Sequence, residues 1–148
     1  NKNKKKKKKN ILNEKEFPLN LAMASAWILG NYKATNLRIL DLTKESALSD
    51  YFVLGTATNS VQAQAMAENI LIQLKNHGYQ SYSKEGLSGS DWILLDLGDI
   101  IVHIFVGSAR EAYDLDGLWN NCPIIEIPQE YYYTDEVTNS VESSKGYF

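Results

Sequence analysis

The stretch SDYFVLGTATNSVQAQ, residues 49–64, decides how this chain is read. Its first half is nearly continuous in apolar residues, which reads as a central strand covered on at least one face. A Gly/Thr/Ser turn follows, then the start of a helix. Backbone N–H groups at a helix N-terminus attract anions, so turns of this kind often cradle a phosphate. Whether this one does so separates a nucleotide-using enzyme from a protein that only shares its outline. A P-loop needs Gly-x4-Gly-Lys-Ser/Thr, but residues 55–60 read GTATNS, with no second glycine and no lysine. A dinucleotide fingerprint needs three spaced glycines, and this turn has one. Asn59 suits an N-cap, with Gln62 three residues on.

Nucleotidyltransferases add two carboxylates at i and i+2 of a neighbouring strand, so that both face one way and hold Mg²⁺. The candidates here are Asp91, Asp96 and Asp99, and no two of them have that spacing. Asp96 and Asp99 flank Gly98, where turn capping is the commoner role for aspartate. The enzyme reading left open is a nucleotide-binding transferase using Gly55 to Ser60 and Asp96. Other chemistries find less. His77 and His103 are the only histidines, too few for a multi-histidine metal site. His103, mid-strand in IVHIF, reads as a hydrogen-bonded strand residue before it reads as a general base. The single cysteine, Cys122, excludes an internal disulfide and reads as a small buried apolar residue. GLSGSD, residues 86–91, precedes a strand and is no nucleophile elbow. No metal or cofactor is expected.

With 148 residues the chain suits one domain, and 44% hydrophobic with 22% charged residues is ordinary for a soluble globular protein. No window is apolar enough to span a membrane, and no apolar segment follows the lysines to make a secretory signal. The net charge of -3 hides an asymmetry. Residues 1–10 hold seven of the 15 basic residues, while all 18 acidic residues lie beyond them. Residues 1–16 are read as a basic tail, either solvated and idle or attracted to nucleic acid such as ribosomal RNA. A domain is expected over residues 17–128, followed by an acidic polar tail over residues 129–148 in which Tyr131 to Tyr133 could dock.

Within the domain, residues 18–34 read as a helix with Leu21, Ala24 and Ile28 buried. Residues 36–43 and 50–57 read as strands. Residues 60–76 read as a helix stopped by Gly78, with Val61, Ala65, Ile70 or Leu71, and Leu74 on its stripe. Residues 79–86 suggest a third strand, and residues 122–127 an edge strand between prolines. Residues 108–121 read as one or two short helices, with Ala112, Leu115, Leu118 and Trp119 packing back. The clearest element is DWILLDLGDIIVHIFV, residues 91–106, two apolar runs about a glycine turn. A loop of Leu97 and Gly98 would set Asp96 opposite Asp99, Leu94 opposite Ile101 and Trp92 opposite His103. One hairpin face is then aliphatic: Ile93, Leu95, Ile100, Val102 and Ile104. The other carries Trp92, Leu94, Asp96, Asp99, Ile101, His103 and Phe105. If helices cover one side of the sheet, that second face is an interaction site; if they cover both, Trp92 is ordinary core. Strands interleaved with helices plus a hairpin predict an α/β fold with a mixed sheet.

Three blocks together, SALSDYFVLGTATNSVQAQAMAENI, SDWILLDLGDIIVHIF and REAYDLDGLW, resemble the ribosomal silencing factor family, also called Iojap-like or RsfS-like. The resemblance runs from about residue 21 to residue 119. It implies a nucleotidyltransferase-like fold lacking the catalytic carboxylates, and a protein that is not an enzyme. It implies binding to the large ribosomal subunit through that subunit's protein fourteen, at the intersubunit face. There it would block joining of the small subunit and repress translation when nutrients are short; organellar relatives assist large-subunit assembly. A bacterial cytoplasm is the implied compartment, with an organelle as the alternative, and either a monomer or a homodimer is compatible. Trp92, Asp96 and Asp99 match the family's DW and DLGD residues, which puts docking on the hairpin. Arg110, Tyr113 and Trp119 match its last block and imply mainly packing, with Arg110 a partner contact.

Overall fold

The computed structural model describes residues 10–133; the lysine run and the acidic segment 134–148 lie outside the described residues. Six strands form one sheet: β1 (Thr35–Asp41), β2 (Tyr51–Ala57), β3 (Ser83–Glu85), β4 (Trp92–Asp96), β5 (Ile100–Val106) and β6 (Ile124–Ile125). Their order is β3-β4-β5-β2-β1-β6. β2 and β5 are parallel at the centre, and the other pairs are antiparallel. This is the mixed α/β sheet expected.

Two longer helices, α1 (Leu19–Asn31) and α2 (Ser60–Asn76), cover the face made by Ile39, Val53, Ile93, Leu95, Val102 and Ile104. α2 starts where its sequence says. Asn59 Oδ1 accepts from Gln62 N at 2.8 Å, and Thr58 N donates to Gln62 Oε1 at 2.6 Å. Gly78 ends it at φ +91°, a conformation that suits glycine. Its buried stripe is Ala63, Met66, Ala67, Ile70 and Leu74, at helical spacing. Val61, expected on that stripe, is 76% exposed. The stripe is marked by alanines and methionine, whose weak signal the branched Val61 outweighs in the sequence.

α1 is buried nearly all round rather than along one stripe. Its small residues permit this: a Cβ at Gly30 would collide with the Tyr131 carbonyl oxygen. Buried residues occur beyond residues 17–128 as well. Ile11, assigned to the tail, is fully buried beside α1, and a 3-10 helix spans Ile11–Asn13. Tyr131, past the expected limit at residue 128, is 3% exposed and meets Trp27 edge-on at 5.1 Å. Tyr131 thus docks as the tyrosine run allowed, whereas Ile11, in a two-residue apolar pair beside the lysines, shows no periodicity that marks it as core.

The hairpin loop is Gly98 and Asp99, not Leu97 and Gly98. Leu97 N donates to Ile100 O at 3.0 Å, and Gly98 has φ +93°. Trp92 therefore pairs with Phe105, Leu94 with His103 and Asp96 with Ile101. The register moves by two residues, so the faces do not exchange. The shift places Leu97 on the core face, where it is 6% exposed.

Because Ile93 is sealed under the helices at 1% exposure, Ile93→Ala should lower the unfolding free energy by about 2–5 kcal/mol through cavity formation. A urea denaturation midpoint matching the parent would contradict that placement.

Candidate protein-binding face

The second face of the sheet is covered in part. Two short helices, α3 (Ala109–Tyr113) and α4 (Leu115–Leu118), lie over its middle. There Leu40, Leu42, Phe52, Leu54, Ile101, Phe105, Ala109, Leu115 and Cys122 form a smaller core. Of the residues expected to pack back, Leu115 and Trp119 do so, whereas Ala112 is exposed and Leu118 is 71% exposed. Asp114 sits between the helices at φ +51° and accepts from Gly117 N at 3.1 Å, so the turn re-aims the chain and breaks the spacing read from the sequence.

The seven candidate residues divide accordingly. Trp92, Leu94 and Asp96 are half-buried and lie in line along β4, at every second residue. Ile101, His103 and Arg110 are buried, at 5%, 3% and 7% exposure, and so lie beneath the surface rather than on it. Ile101 and His103 lie under the α3–α4 segment, and Arg110 turns inward from α3 itself. Asp99 is exposed, but it sits in the hairpin loop and does not face Asp96. Its backbone carbonyl holds the start of β2, accepting from Asp50 N at 2.9 Å and from the Ser49 hydroxyl at 3.0 Å. Asp96 Oδ1 accepts from Gly98 N at 2.9 Å, so it caps the turn. Trp92 and Asp96 lie at opposite ends of β4, roughly 13 Å apart at the usual rise per strand residue.

Trp92 is held from several sides. Its ring lies 4.6 Å from Tyr113 and 5.1 Å from Phe105, centroid to centroid. Its indole N–H donates to His103 Nδ1 at 3.2 Å. A depression of about 220 Å³ opens beside it, lined by Glu85, Gly86, Ser90, Trp92, Leu94 and Tyr113. Burial, helped by the Arg110 charge, pushes His103 down to about 3, so the imidazole is neutral and its Nδ1 can accept. Arg110 is fixed internally: Nε donates to Asp116 Oδ2 at 2.6 Å, Nη2 to Asp116 Oδ1 at 3.2 Å, and Nη1 to Thr56 Oγ1 at 2.9 Å. Arg38 Nη1 reaches Asp116 Oδ1 at 3.2 Å. These bonds hold the Asp116 carboxyl below the usual carboxylate range. Asp116 escaped the sequence reading because a spacing of six from Arg110 has no meaning in one helix; only the corner at Asp114 brings the two together. Tyr113, expected mainly to pack, is half exposed and forms one wall of the depression.

In the stretch at residues 49–64, the glycine and the Gln62 amide are both committed within the fold. β2 runs on through Ala57, so Gly55 lies in the strand, where a Cβ would press on Leu29 at 3.1 Å. Its role is close packing of α1 on the sheet. The Gln62 amide that could meet an anion is already taken by Asn59. No group of three or more His, Cys, Asp or Glu side chains able to hold a metal occurs among the described residues. Among the described residues, no helix is long and apolar enough to cross a membrane.

A mixed sheet with one sealed face and one half-covered face that carries a fixed aromatic cluster defines an α/β domain. The model of the family described as ribosomal silencing factor during starvation matches residues 15–146, and the chain belongs to that family. It is 38% identical over 91 residues to the ribosomal silencing factor RsfS of Haemophilus influenzae, covering 62% of this chain and 89% of that one. It is 30% identical over 95 residues to the mouse mitochondrial assembly of ribosomal large subunit protein 1, covering 62% of this chain and 42% of that one. A crystal structure of a Chromobacterium violaceum protein matches with a TM-score of 0.67 at 26% identity, covering 69% of this chain and 85% of that one.

The state of His103 has a consequence for stability. Its value falls from 6.5 to about 3 on folding, so between those values the unfolded chain binds more protons. Stability should therefore fall as pH drops from about 6.5 towards 4, by up to roughly 1.4 kcal/mol per pH unit. His103→Gln, which cannot titrate, should flatten that slope in unfolding free energies measured across this range. An unchanged slope would mean that other groups set it.

Proposed function

We propose that this protein binds the large ribosomal subunit through that subunit's protein fourteen and blocks association with the small subunit. Translation is thereby repressed when nutrients are limiting. Docking and steric exclusion suffice for this, and no catalytic step is involved. The observation that carries the reading is Trp92, a large aromatic left half-exposed yet fixed by His103, Phe105 and Tyr113. An aromatic already held in place loses little entropy on binding, which makes it a good anchor. Leu94 and Asp96 extend the contact along β4. Asp96 and the exposed Asp99 supply negative charge that orients a basic partner. His103 and Arg110 support the face from beneath it. Membership of the ribosomal silencing factor family supports a ribosomal partner. A role in large-subunit assembly is a second reading, favoured by the name of the mouse mitochondrial relative. A bacterial cytoplasm suits the first reading and an organelle the second.

Co-sedimentation with separated ribosomal subunits tests the site. Trp92→Ala should weaken large-subunit binding by about 2 kcal/mol or more, roughly thirty-fold. Ile93→Ala, on the sealed face, should retain binding while losing stability. Equal loss from both substitutions would show that general destabilisation, not a docking anchor, is responsible.

The lysine run adds a second, less specific attraction, to ribosomal RNA. Deleting residues 1–9 should weaken binding mainly at low salt, because a chain that meets fewer phosphates releases fewer counterions. An identical salt dependence with and without these residues would exclude that contribution.

A further inference from the structure

We infer that Asp116 is a positioning residue for the docking face, clamping Arg110 and Arg38 so that the α3–α4 corner keeps Tyr113 against Trp92. This rests on reading the Trp92 face as the docking surface. Helices of five and four residues have almost no stability of their own, since each must be nucleated at a loss. Within the two helices only Ala109, Arg110 and Leu115 are buried, so apolar anchoring is slight. The rest of the hold is polar. Asp116 takes a two-pronged bond from Arg110 on α3 and a further bond from Arg38 on β1. The remaining Arg110 donor reaches Thr56 on β2. The guanidinium and its carboxylate thus tie both helices to two strands of the sheet. The guanidinium also lies over the Phe105 ring at 6.0 Å, and Phe105 in turn backs Trp92. The clamp touches neither Trp92 nor the depression, yet α3 ends at Tyr113, whose ring is 4.6 Å from Trp92. Loosening the clamp releases that wall while the core under α1 and α2 stays intact.

The test uses the full chain, purified large ribosomal subunits as the probe, and Asp116→Asn, which keeps an acceptor for Arg110 but removes the charge. Three changes are expected at 20 °C in protein that circular dichroism shows to be folded. The dissociation constant rises roughly tenfold, the size expected for weakened charge-assisted hydrogen bonds. The Trp92 indole N–H resonance moves. Amide hydrogen exchange quickens across residues 109–118 and not in α1. Parental binding overturns the inference. So does weakened binding with an unmoved Trp92 resonance, which would make Asp116 a direct contact. If Asp116→Asn does not fold, Arg110→Lys decides by the same readouts, because a lysine keeps the charge and cannot make the fork. Trp92→Ala separates the two readings. If it binds like the parent, the docking face itself is wrong, and resonance and exchange alone judge the clamp.

Discussion

The parallel pairing of β2 with β5 is the constraint on which the rest of the structure depends. It runs in unbroken register from Tyr51↔Ile100 to Ala57↔Val106. Parallel neighbours cannot be joined by a tight turn, so the chain must cross over the sheet between them. α2 makes that crossing, followed by β3 and β4. The antiparallel strands flank this pair: β4 turns into β5 through Gly98 and Asp99, and β1 lies beside β2 on the other side. Gly55 belongs to this centre. Lacking a side chain, it lets α1 lie close against the strand that opens the pairing.

The crossover also explains why the two faces differ. α1 and α2 both fall on one face and seal it, which leaves the other face to the chain beyond β5. That segment is short: two helical turns and a loop, long enough to cover β5, β2 and β1 but not β4. Trp92 and Leu94 are left at the margin of that cover. A half-covered face of this kind keeps aromatic residues ordered from beneath while one side stays open to solvent. His103 illustrates the division of labour. Buried and neutral, it serves as an acceptor for the indole and not as a proton carrier.

Arg110 and Asp116 show a cost of this arrangement. A buried guanidinium is tolerable only when its hydrogen bonds are met and its charge is balanced. Here Asp116 and Thr56 do both, and the charged cluster fixes a corner that its few apolar residues could not hold. Asn20 Oδ1, Ser25 Oγ, Trp27 Nε1 and His103 Nε2 are buried without such partners, the first three of them on α1.

Sequence alone determined the elements and the two hairpin faces, because period-two alternation, caps and glycine turns act over a few residues. The Asn59–Gln62 cap, the Gly78 stop, the strands on either side of Gly98 and the missing carboxylate pair are all local, and so legible. Even the misplaced hairpin loop left the faces correct, since a two-residue shift preserves the alternation. Tertiary structure decided what covers each face. The burial of Ile101, His103 and Arg110 depends on where α3 and α4 come to rest. The burial of Ile11 and Tyr131 depends on where α1 comes to rest, and the meeting of Asp116 with Arg110 depends on one backbone corner at Asp114. Each of these is a long-range contact or a break in periodicity. A local pattern carries no information about which distant segment will exclude water from it.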